Sequence, residues 1–216
     1  VPAEIAYVDM PVAGDTTGPE QRIAGELLNH LQRADALLSV ARAFDNPSVP
    51  SAEDTVDPLR DLETTSLDLA LADVAILDRR LVRVADGFKG AKSPERDALE
   101  KEQELLSRIK AGLEEGVAVR EQAFDRDETR LLMGFQLLTA KPLIALANVG
   151  EDELDRMYAL EERLSSRFSG PQVGALVLCG SLEMELAEMD EADQPEFRES
   201  MGLTDSGLDR MVRKSY

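Results

Sequence analysis

The chain has 216 residues, 43% of them hydrophobic, enough to bury a core as one domain with an insertion or as two small domains. A net charge of −19 and a pI near 4.4 exclude the basic footprint of a chain that binds DNA directly. A single cysteine, Cys179, excludes an internal disulfide framework. With no apolar run of membrane length and no signal-like segment, a reducing cytoplasm is the expected setting and no membrane partner is expected.

In chain order, four short apolar runs read as buried strands: Glu4 to Val8, Ala36 to Ala41, Leu143 to Ala147 and Val173 to Leu178. Each ends in polar or small residues, namely Asp9, Phe44-Asp45-Asn46, Asn148 to Glu151 and Cys179-Gly180-Ser181. Helical patterns such as Glu20 to Arg33 and Asp152 to Phe168 lie between them. That alternation implies crossovers and an α/β fold with a mostly parallel sheet. The first run follows almost directly on Val1, which is not a methionine, so the chain reads as a piece with sheet missing in front.

The middle has a different period. Asp57-Pro58 is an N-cap followed by proline at the first helical position, and Leu67, Leu71, Val74, Leu77, Leu81, Val84 and Phe88 then recur every three or four residues. Gly87 and Gly90 break the pattern and Ser93-Pro94-Glu95 restarts it. Leu99, Leu106, Ile109, Leu113 and Val117 carry the second stripe. Two helices of similar length on a short turn predict an inserted antiparallel hairpin, a coiled-coil arm. The expected division is 1–56 and 119–216 for the two parts of the sheet domain, with the arm at 57–118. A third helix is expected over Asp127 to Leu138, capped by Asp125 or Asp127. The tail should hold helices at Glu183 to Glu191, up to Met201, and over Ser206 to Lys214.

Ligands of open α/β sheets collect outside the carboxyl ends of the strands, which directs attention to the four strand ends. Asp9 could hold Mg²⁺ through water, as an acid after a strand does in phosphate-loop enzymes, or simply cap the strand. Asn148-Val149-Gly150-Glu151 could read a nucleotide base, because the Asn amide both donates and accepts; a strand end before an acidic helix start has the same composition. Cys179, Gly180 and Ser181 could lend backbone N–H groups to that base, or form a plain strand-to-helix turn. Cys179 reads as a small buried hydrophobe and His30 as surface or packing. Arg79, Arg80, Arg83, Lys89 and Lys92 on the hairpin could meet an acidic partner surface or merely solvate it. No Gly-Lys dipeptide occurs, so nothing here cradles a β/γ-phosphate, and this chain alone is not expected to hydrolyse a nucleotide.

Several stretches, in one order, resemble the YchF / Obg-like ATPase family of P-loop NTPases. They are Leu31 to Ala36, Val40 to Asn46, Val56 to Glu63, Asp68 to Asp73 with Arg80-Leu81, Leu137 to Glu151, Glu196-Phe197 and Ser206 to Arg210. The resemblance implies a partial NTPase sheet with the coiled-coil arm inserted, a cytoplasmic setting, association with ribosomes, and ATP with Mg²⁺ as ligands. It implies ATP preferred over GTP, because the family carries Asn-x-x-Glu where ordinary GTPases carry Asn-Lys-x-Asp; Asn148 and Glu151 match. Three features depart from the family. The phosphate loop would precede Val1, Pro11-Val12 interrupts the second switch, and Cys179-Gly180-Ser181 stands where Ser-Ala-Lys is common. The stretch ends before a TGS-like domain. The alternative expectation is a divergent, non-catalytic relative that presents its arm to a ribosome or another protein.

Overall fold

The computed structural model describes residues 4–10, 22–46, 55–203 and 205–215. Helix α1 (Gly25–Arg33) leads to strand β1 (Leu37–Ala43), and α2 (Pro58–Gly87) and α3 (Ser93–Glu114) follow. After α4 (Arg126–Leu132) come β2 (Leu143–Val149), α5 (Met157–Arg167), β3 (Val173–Leu178), α6 (Gly180–Glu188), α7 (Gln194–Ser200) and α8 (Gly207–Ser215). The three strands form a parallel sheet in the order β1-β2-β3. Ala147 of β2 lies opposite Ala41 on one side and Val177 on the other.

Because β2 is flanked on both sides and covered on both faces, every residue from Leu143 to Ala147 is buried, as an unbroken apolar run requires. Leu62 of α2, Met157 and Leu164 of α5 and Leu182 and Leu186 of α6 close one face over Ala145, Ala147, Ala175 and Val177. Small strand residues let these helices approach closely. The outer positions of β1 are less covered, and Val40 is 60% exposed. At the other edge, among the described residues, side chains and not a further strand meet β3. Glu161 of α5 accepts from Val177 N (3.0 Å), and Arg210 of α8 donates to Val177 O (3.2 Å) and pairs with Glu161. Both backbone groups of that residue are thereby satisfied without an open edge.

The run Glu4 to Val8 corrects the expectation of a fourth strand. Residues 4–10 carry no strand, and Tyr7 and Val8 are 51% and 71% exposed. An apolar run becomes a strand only where a neighbour takes its backbone hydrogen bonds, and this segment instead sets the Tyr7 hydroxyl 3.1 Å from Ser215 Oγ on α8. Pro11-Val12, Glu20 and Gln21 lie outside the described residues.

The hairpin is present, with unequal helices of 30 and 22 residues. Asp57 caps α2 by accepting from Leu59 N and Arg60 N, with Pro58 at the first turn. The first part of α2 covers the sheet through Leu62 and Leu69, which accounts for its extra length. Only its later part, from about Leu77, pairs with α3 through Val84, Leu105, Leu106 and Ile109. Arg80 forks onto Glu102 (2.5 and 2.9 Å), and Lys110 meets Asp78 at 2.5 Å.

At the arm's root the chain is knotted together by Asp73, which is fully buried. Its carboxylate accepts from Leu138 N (2.7 Å), Thr139 N (2.8 Å) and Thr139 Oγ (2.7 Å). Arg120, in the return from the arm, donates to the carbonyls of Thr139 and Lys141, and Lys141 Nζ donates to those of Gln32 and Ala34. Burial raises the Asp73 pKa against the lowering effect of those donors, and burial lowers those of Arg120 and Lys141. Helix α4 is shorter than expected, ending at Leu132. Asp125 is its cap, in a reciprocal pair with Glu128. It stops because the chain must turn through Gln136, which has φ of +50°, to reach the Leu138–Ala140 turn that Asp73 holds.

Candidate functional site

The carboxyl ends of β2 and β3 are adjacent because the strands are parallel and in register through Asn148 opposite Leu178. Asn148 is half-buried and turns its amide toward the neighbouring loop, where Oδ1 accepts from Gly180 N at 2.9 Å. A side chain at 180 would place its Cβ 3.2 Å from Asn148 Oδ1, so only glycine lets the loop come this close without displacing the amide. Asn148 Nδ2 has no hydrogen-bond partner among the described residues and is left to donate elsewhere.

The other expected site residues divide clearly. Glu151 is exposed at the start of the Glu151–Arg156 3-10 helix, whose first residues are Glu151, Asp152 and Glu153. Three acids there repel phosphate, so a nucleotide at this edge would offer its base and keep its phosphates away. Val149 is buried in the core and can contribute backbone only. Cys179 is buried with its Sγ 3.3 Å from Ser181 Oγ, and Ser181 is exposed. The structure thus brings together Asn148, Cys179, Gly180 and Ser181, and leaves Glu151 exposed three residues beyond Asn148. Asp9 is not at a strand end. It is exposed in the irregular 4–10 segment, and no hydrogen bond that builds this cluster involves it among the described residues.

Gly150 was not singled out by sequence, yet it is the second close approach. A Cβ there would lie 2.6 Å from Asp152 Oδ1 and 3.2 Å from Phe44 Cβ, so the β1 end packs directly on the 148–151 turn. A glycine between a strand end and an acidic helix start was the available signal. Beside this packing, on the Val149 side, opens a cleft of about 640 Å³ bounded by Phe44, Asp45, Val149, Glu153, Arg156 and Arg163. Neither Asn148 nor Gly180 lines it. Among the described residues no three His, Cys, Asp or Glu side chains converge to hold a metal ion. These residues alone therefore do not make up a Mg²⁺ site. No helix among them is long and apolar enough to cross a membrane.

No protein-family model matches the chain. Over its whole length it is 32% identical to the ribosome-binding ATPase YchF of Bacillus subtilis, covering 58% of that protein. It is 31% identical over 221 residues to Obg-like ATPase 1 of Caenorhabditis elegans, covering 54% of it. The chain belongs to the YchF/Obg-like family. The YchF GTPase structure from Schizosaccharomyces pombe matches 88% of the chain with a TM-score of 0.74 at 24% identity, a likeness of fold. The chain spans somewhat more than half the length of these YchF/Obg-like relatives.

Proposed function

We propose that the chain is the base-selecting and arm-bearing part of a YchF-like ATPase that associates with ribosomes and prefers ATP over GTP. The observation that supports this reading best is the Asn148 Oδ1 bond to Gly180 N. It ties the ends of β2 and β3 into one cradle and leaves the Asn148 amide nitrogen free to donate to a ring nitrogen of a base. The exposed Glu151 is an acceptor suited to an exocyclic amine, which adenine presents, and Ser181 and the 179–181 backbone close the other side. The relatives' names, ribosome-binding ATPase and Obg-like ATPase, supply the activity and the ribosome.

In this reading residues 57–118 form the arm and 1–56 with 119–216 the NTPase portion, with the early turns of α2 serving the sheet. Asp9 would touch Mg²⁺ only through water and in company with nucleotide phosphates. Hydrolysis belongs to a longer protein that supplies a phosphate loop, where catalysis rests on positioning and electrostatic stabilisation.

Titration calorimetry with ATP and GTP, in Mg²⁺, on the full natural reading frame tests the proposal. ATP should bind more tightly than GTP, and Glu151→Asp should shift the ratio toward GTP. Equal or reversed preference in the unaltered protein sinks the base-reading assignment. Absence of nucleotide binding altogether favours the other reading, a non-catalytic relative that presents its arm.

A further inference from the structure

At the amino edge of the sheet, opposite the strand ends just described, a second cleft of about 470 Å³ lies at the root of the arm. One wall is the turn joining α1 to β1, and the other is formed by α4 and the residues returning from α3. Phe124, Leu132 and Leu137 contribute apolar surface, and Met133, just past the end of α4, stands at the cleft and is 71% exposed. Arg33, Arg120 and Lys141 line the same cleft against a single acid, Asp35. This is a basic lining in a protein of net charge −19.

The lining cations keep unused hydrogen-bond donors, beside the acceptor groups of Asp35, Gln32, Gln122 and Gln136. Arg120 Nη1 is shared between the Thr139 and Lys141 carbonyls, while its Nε is buried with no partner. Lys141 Nζ donates to two carbonyls and has a third proton left. Neither cation has a carboxylate within 4 Å among the described residues. Glu121 and Asp73 act on Arg120, and Asp35 and Asp73 on Lys141, only at longer range. An apolar surface beside surplus donors, in a volume of small-molecule size, is the make-up of a ligand pocket. The ligand must bring acceptors and an apolar body, and an Arg edge suits a carboxylate.

We propose that this cleft binds a small organic carboxylate with a flat or branched apolar body, its carboxylate toward Arg33, Arg120 and Lys141 and its body against Phe124 and Leu132. Because the cleft joins the sheet's amino edge to the segments that return from the arm, an occupant braces the arm's root. The proposal is independent of the nucleotide reading.

The test is a titration of the full chain with 2-naphthoate, followed by amide NMR shifts, with neutral 2-naphthalenemethanol as the comparison. Saturable shifts confined to residues around 32–35, 119–124 and 129–141 are expected, with at least tenfold weaker binding of the alcohol. Arg33→Glu and Met133→Asp, both at exposed positions, should each weaken naphthoate at least fivefold and leave the rest of the spectrum in place. No saturable shifts, shifts centred elsewhere, equal binding of the alcohol, or naphthoate affinity unchanged in both variants would each overturn the proposal.

Discussion

Asn148 and Asp73 show how one side chain can fix two segments at opposite ends of the same strand. Asn148 accepts from Gly180 N at the exit of β2, while Asp73 accepts from Leu138 N and Thr139 N before its start. Replacing Asn148 by Ala removes both the tether and the free donor, so ATP affinity in the full-length protein should fall tenfold or more, a loss of about 1.5–3 kcal/mol. Calorimetry measures it, and a melting curve shifted only slightly would confirm that the fold is kept. Asp73→Ala strands three buried donors and should lower stability by about 2–4 kcal/mol in chemical denaturation. Its carboxyl titrates above the ordinary 3.8 because it is buried, so the folded state holds its proton more tightly than the unfolded state. Its contribution to stability is therefore full below that ordinary value and is lost as pH rises through the raised one. Accordingly the stability of wild type relative to Asp73→Asn should grow on acidification through that window. A gap that shrinks instead would contradict the burial effect.

The arm is held by a short apolar seam, not by its whole length. Leu77, Leu106 and Ile109 are completely buried, whereas Val82 is 63% exposed and Arg79 and Arg83 face outward. Truncating Leu106 to Ala should cost about 2–4 kcal/mol, because a seam two helices wide has few neighbours to fill the void. Native-state hydrogen exchange should then show faster exchange in α3 and the outer part of α2, with β2 still protected. The Arg80–Glu102 pair adds less. Arg80 is 39% exposed, so solvent screens the pair, and Arg80→Leu should cost about 1 kcal/mol even though Glu102 is nearly buried.

Taken whole, the molecule carries a large excess of negative charge that is concentrated beyond the 148–151 turn. Residues 151–199 hold 14 acidic side chains against 4 basic ones, while 57–118 hold 14 against 10. Self-repulsion of this size opposes the compact state, and raising salt from about 10 mM to about 150 mM shortens the screening length from about 30 Å to about 8 Å. The melting temperature should therefore rise over that range. A fall would mean that exposed ion pairs such as Arg167–Glu63 outweigh the repulsion. Residues 119–150 balance four acids with four bases and 200–216 hold two acids against three bases, so the least acidic stretches lie outside the arm.

Local pattern alone determined the three paired strands, the hairpin, the Asp57 cap and the positions of Asn148, Glu151 and Cys179 to Ser181, because each depends on period, turn chemistry or spacing within a short window. Sequence order also carried the family likeness. Only the tertiary structure decided that Glu4 to Val8 is no strand, since pairing needs a neighbour that the run cannot specify. It also decided that α2 is divided between sheet and arm, a choice made by packing partners and invisible in a continuous heptad-like stripe. Asp73 lies within that buried stripe, between Leu69 and Leu77, where an acid signals a hidden partner without naming it. Thr139 and the Leu138 backbone, more than 60 residues away, became those partners only when the arm folded back onto the approach to β2.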